Sequence, residues 1–132
     1  MAHAEQRPNL VKLSDESEDL LLEEPWQDIR GLDVMDVNGE QIGSVEDLYL
    51  DDREEGLVRA PRFLDVSAGG FLGMGKKHFL VPVEEVSREV GEEDRVIVNR
   101  LRDKVVGSPD FEAEEVPNED FQRAIRAYYG YI

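Results

Sequence analysis

Carboxylates are the most abundant reactive groups in this chain, and imidazoles and thiols are scarce: 31 Asp and Glu stand against 15 Lys and Arg, with two His and no Cys. Without cysteine there is no thiolate nucleophile, no disulfide and no Cys-based zinc or iron–sulfur centre. His3 falls in the unpatterned first residues, and His78, beside Lys76 and Lys77, makes neither a triad nor a metal cage by itself. Ser14, Ser17, Ser44, Ser67, Ser87 and Ser108 lack the G-x-S-x-G setting of a nucleophile elbow. No catalytic residue, metal site or cofactor is expected from these groups.

Two stretches come close to ligand-binding motifs and miss. Gly70-Phe-Leu-Gly-Met-Gly75-Lys76-Lys77 has the glycines and lysine of a phosphate-binding loop, but Lys77 stands where a hydroxyl must hold magnesium. The next stretch, His78 to Val83, reads as a strand, whereas the phosphates need the N-terminal amides of a helix. Asp36-Val-Asn-Gly39 is similar to a calcium loop, yet Val34 takes the place of its first Asp and Val45 that of its bidentate Glu. Asp51, Asp52, Glu54 and Glu55 read as a solvated turn.

The sharper feature is apolar Phe71, Leu72 and Met74 next to Lys76, Lys77 and His78, the one dense basic cluster in the chain. It reads first as a loop folded over the mouth of a barrel, with a contact patch for a partner or a second copy as the alternative.

Short β-like runs bounded by turns must position these groups from Trp26 onward. Asn38-Gly39 predicts a two-residue type I′ hairpin between Leu32–Val37 and Gln41–Leu50. Ile42, Leu48 and Leu50 share a parity that Val45 breaks, so a bulge is expected between Gly43 and Asp47. Further strands are expected at Leu57–Val66, His78–Val83, Val86–Val90 and Val96–Val98, about six in all, with Pro61 at an edge or a bulge. Phe121, Ile125, Tyr128 and Ile132 then recur at helical spacing behind a capping Asn118. That predicts an amphipathic C-terminal helix whose Tyr128, Tyr129 and Tyr131 cover the barrel or a second subunit.

The expected architecture is therefore all-β with a C-terminal helix. An acidic arm over residues 1–25, partly docked through Leu20–Leu22, precedes a barrel over 26–106, and a linker and helix complete the chain over 107–132. At 15.0 kDa one domain is expected. A net charge of −16 repels phosphate backbones and anionic membranes, so no direct nucleic-acid partner is expected. No apolar run nears the ~20 residues of a membrane span, and a cytoplasmic location is expected.

Residues Asp28 to Asp51 (DIRGLDVMDVNGEQIGSVEDLYLD), Phe63-Leu-Asp-Val66, Gly69-Gly-Phe-Leu-Gly73 and Lys77-His-Phe-Leu-Val-Pro-Val83 resemble the PRC-barrel domain. That family is named from the cytoplasmic domain of the photosynthetic reaction-centre H subunit and resembles the C-terminal domain of a ribosome maturation factor. The resemblance runs from about Trp26 to Val98, with Ala60-Pro61 as a departure inside a strand. It implies a small, highly bent β-barrel that serves docking or assembly, with Gly39, Gly43, Gly69 and Gly70 as fold determinants. The function expected from it is a non-enzymatic, self-associating interaction module, a dimer as the first guess; the alternative is an accessory of reaction-centre electron and proton transfer, using acids such as Asp36, Glu40 and Glu46, and the second alternative a ribosome-maturation-type RNA-processing adaptor. The candidate contact residues are Phe71, Leu72, Met74, Lys76, Lys77, His78, Phe121, Ile125, Tyr128, Tyr129 and Tyr131.

Overall fold

The structure, a computed structural model, describes residues 9–53, 56–69, 75–87 and 94–131. In chain order its elements are β1 (Leu10–Lys12), β2 (Leu21–Leu22), β3 (Asp33–Met35), β4 (Gln41–Asp51), β5 (Val58–Arg59), β6 (Pro61–Ala68), β7 (Lys77–Pro82), β8 (Arg95–Ile97), α1 (Arg102–Val106), β9 (Asp110–Phe111) and α2 (Glu119–Tyr128). The main sheet runs β8-β3-β4-β6-β7-β9, and β1 shares with β3 one edge of the long β4. β2 and β5 pair in parallel as a separate two-stranded sheet.

Bulges bend the main sheet where parity fails. Val34 faces Gly43 but Met35 faces Gln41, which leaves Ile42 as an extra residue. Val45 faces Val66 but Asp47 faces Asp65, which leaves Glu46 as a second, inside the span where a bulge was expected. Each extra residue flips the alternation, so Ile42, Val45, Leu48 and Leu50 all enter one core. Arg62 is a third such residue, since Tyr49 faces Phe63 and Leu50 faces Pro61. Pro61, with no N–H to give, thus opens β6 beside a bulge, and Ala60 separates it from β5. At Gly43 a Cβ would lie 2.0 Å from the Ser67 carbonyl oxygen, so only glycine lets β4 and β6 approach there.

Two expectations need correction. The β3–β4 hairpin is present, but its turn is not type I′: Gly39 has φ +82° and Asn38 does not share the positive φ. A turn closed by Gly39 N–H on Asp36 O (2.9 Å) is followed by Asp36 N–H on Glu40 O (2.8 Å), a longer loop. The Asp36 carboxylate selects it by accepting the Asn38 and Glu40 N–H groups, both at 2.8 Å. Val86 makes one isolated bridge to Val98 rather than opening a strand, because a 3₁₀ turn at Val83–Glu85 redirects the chain. Residues 88–90 of that expected strand lie outside the described residues. The short β1, β2, β9 and α1 add to the expected set.

Leu48, Leu64, Val66, Val81, Val34 and Val96 anchor the aliphatic core inside the bend. On the other face Leu10, Tyr49, Phe63, Leu80, Ile125 and Tyr129 form a second cluster, which α2 covers. Asn118 caps α2 as expected, accepting the Phe121 N–H at 2.9 Å.

Candidate functional site

Phe71, Leu72 and Met74 lie outside the described residues. Lys76 is exposed and Lys77 half-buried at the start of β7. His78, the next residue, turns away from that basic run: its Nδ1 lies 2.9 Å from Oδ1 of Asp65, and its ring sits 6.0 Å from that of Phe111. Burial pushes the Asp65 carboxyl up to about 6 against the opposing hydrogen bond and charge of His78, and Glu46 and Asp47 push the same way. Asp65 was hidden from sequence reasoning because it lies 13 residues upstream on the neighbouring strand; its opposite parity to Leu64 and Val66 was the available signal.

The C-terminal contact candidates meet one another inside this chain. Ile125 and Tyr129 are buried, and Phe121, Tyr128 and Tyr131 pack partly buried against the same cluster. The Tyr128 hydroxyl donates to Lys104 O at 2.7 Å while the Lys104 ammonium sits 4.0 Å from the ring centre. The Tyr131 hydroxyl donates to the buried Glu85 carboxylate, which Arg100 also holds. These aromatic groups fasten the chain end to the sheet.

Asp36 is likewise occupied. Besides the two hairpin amides it accepts the Arg102 N–H at 2.9 Å. Burial would raise its pKa, but the three backbone donors together outweigh that and hold the carboxyl below its ordinary range. Among the described residues no three His, Asp or Glu side chains gather as metal ligands.

Of the five large apolar side chains exposed among the described residues, three gather in one place. Leu21, Leu57 and Val58 are 62, 58 and 59 % exposed, and they cluster on the β2–β5 sheet, where Leu21 pairs with Val58 and its N–H meets Leu57 O at 2.6 Å. The arm carrying β2 is held to β5 by buried Arg59, which pairs with Glu16. Asp15, Glu18, Asp19, Glu23 and Glu24 are exposed around it. An open groove of about 640 Å³ adjoins the sheet, lined by Leu20, Leu22 and Trp26 and by Glu16, Glu18 and the Asp28–Arg30 pair. Sequence reading noted these leucines and acids but not that Leu57 and Val58 join them, since that pairing spans 37 residues of chain.

A bent, bulged sheet around an aliphatic core, sealed by chain ends, defines a small β-barrel-type domain. The PRC-barrel domain family model matches residues 23–105 of the 132, and the chain belongs to that family. No curated protein matches the chain. No helix among the described residues is long and apolar enough to cross a membrane.

Proposed function

We propose that this PRC-barrel protein is a non-catalytic docking module that receives a partner protein on its β2–β5 sheet. The observation that carries the reading is the exposure of the register partners Leu21 and Val58 on a sheet of two strands, with exposed Leu57 just ahead of β5. Contiguous exposed apolar side chains rimmed by polar groups favour association, and a sheet this small gains stability from added layers. The acids at 15–24 select the partner's chemistry: apolar side chains flanked by Lys or Arg. In this reading residues 26–106 form the barrel unit, and the arm at 1–25 supplies half of the docking surface.

Capture from the native host and subsequent cross-link mapping test this, comparing wild type with Leu21→Glu/Val58→Glu. The expected result is a partner whose lysines cross-link to the 15–24 acids and which the variant loses. Equal capture of the same partner by the variant overturns the reading.

Self-association is the second reading, favoured by exposed Lys76 ahead of β7 in a chain of charge −16. A second copy would set Lys76 against the acidic arm, and high salt should then dissolve the oligomer. A monomer by light scattering at low and high salt excludes it.

A further inference from the structure

Four of the chain's 15 Lys and Arg converge on one cleft of about 110 Å³, where Arg53, Arg62, Arg123 and Arg126 outnumber the lining carboxylates Asp51 and Glu119. We propose that this cleft binds a single small oxyanion, a carboxylate or a phosphate.

The four guanidinium groups divide into two kinds. Arg53 is committed to Asp51, with Nε and Nη2 both at 3.1 Å, and Arg126 to Glu84, in two bonds of 3.1 and 3.0 Å. Each of these two is engaged by a carboxylate through two contacts. Arg62 is 52 % exposed, and its ion pair with Asp51 is 3.6 Å long, beyond hydrogen-bond reach. Asp51 already answers Arg53, whose hydrogen bond is the main cause holding that carboxyl below its ordinary range, so Arg62 shares a carboxylate that is largely spent. Arg123 pairs with Asp120, but the two are 70 and 87 % exposed. Such a pair contributes little and exchanges readily. Arg62 and Arg123 are therefore the groups that can present forked donors to an incoming oxyanion, and that fork matches a carboxylate or phosphate edge.

The site is also held in shape. Gln122 donates to Asn9 Oδ1 at 2.7 Å and to Pro117 O at 2.9 Å, and Asn9 donates to Glu119 at 3.3 Å. These bonds tie α2 to the chain entering β1 and keep Arg123 and Arg126 opposite Arg62. Buried Leu10 and Phe63 complete the lining, and apolar walls strengthen electrostatic contacts beside them. The cleft has room for one carboxylate or phosphate group and not for a nucleotide. Asp51, Glu84, Asp120 and Glu119 balance the four guanidinium groups, so an oxyanion is held by the forked N–H donors themselves and not by a net positive field, and the chain's charge of −16 repels polyanions.

The test titrates wild type, Arg62→Ala and Arg123→Ala with inorganic phosphate and, separately, sodium acetate at constant ionic strength, reading arginine Nε–H resonances. The expected result is saturable shifts of Arg62 and Arg123 with a Kd of roughly 1–10 mM, weakened about tenfold by Arg62→Ala. Saturation by phosphate alone makes it a phosphate site, by acetate alone a carboxylate site, and by both a general oxyanion site. Absence of saturation to about 50 mM with either anion overturns the proposal, as does binding that both variants leave unchanged. Both arginines are exposed, and circular dichroism on each variant separates lost binding from lost fold.

Discussion

The two faces of the bent sheet are built by the same strands and are buried by different means. Toward the inside, β4, β6 and β7 present Leu48, Leu64, Val66, Phe79 and Val81 to a dry core that the curvature of the sheet encloses. Toward the outside, the intervening residues are Tyr49, Phe63 and Leu80 at one end and Asp47, Asp65, Ser67 and His78 at the other. Bending cannot cover that convex side. It is covered by β1 and β9 at the sheet edges and by α2 packed across it. The segments flanking the long strands thus serve as structure, and the outer face they seal holds the buried carboxylates Asp47 and Asp65.

The sharpest way to break the comparison is to truncate one residue on each face. Leu48→Ala should cost about 2–5 kcal/mol, because the core inside the bend has no free segment that can collapse into the void. Ile125→Ala should fall at the low end, about 2 kcal/mol, because α2 is a single helix laid on the outer face and can shift toward the void. Denaturant unfolding gives the magnitudes. Hydrogen exchange should show protection lost throughout in the first variant and around α2 in the second; equal global loss in both would erase the distinction.

Asp65 offers a smaller contrast that depends on pH. Its folded pKa of about 6 lies above the ordinary carboxylate value of 3.8. A raised folded pKa means the folded state holds the proton more tightly, so this contribution is complete below about pH 4 and is lost as pH rises through 6. Asp28, Asp36, Asp51 and Glu84 are shifted down, and their contributions run the opposite way, being lost as pH falls. The informative quantity is therefore the difference between Asp65→Asn and wild type. The variant should gain on wild type by about 2 kcal/mol as pH rises from 4 to 7. A difference that stays flat with pH would show that the outer face does not confine that carboxyl.

The smallest effect concerns the lid itself. Asn118→Ala removes the side-chain acceptor for the Phe121 N–H and should cost about 1 kcal/mol. Exchange should rise first in the initial turn of α2, with the inner core unaffected.

How much of this was legible beforehand differs between the faces. The inner core is read from Ile42, Val45, Leu48 and Leu50 and the broken parity that demanded a bulge, because period and hydrophobicity are local properties. α2 was legible through Asn118 and the spacing of Phe121 and Ile125. The turn type at Asn38 was misread because the Asp36 carboxylate, aimed at three amides including that of Arg102, overrode the intrinsic preference of Asn-Gly. The β2–β5 sheet and the arginine cleft were not legible, since each joins side chains from segments far apart in sequence.

By itself the sequence determined what local chemistry can encode: an acidic, cysteine-free chain of short strands, its bulge and its terminal helix. Only the tertiary structure decided which carboxylates are spent and which cations remain available. It set His78 on Asp65 rather than beside Lys77 and wrapped the terminal tyrosines onto their own barrel. It also left Leu21, Leu57 and Val58 in the open. The physical reason is that burial and ion pairing depend on distance in space, which strand register and sheet curvature set only once the whole chain has packed.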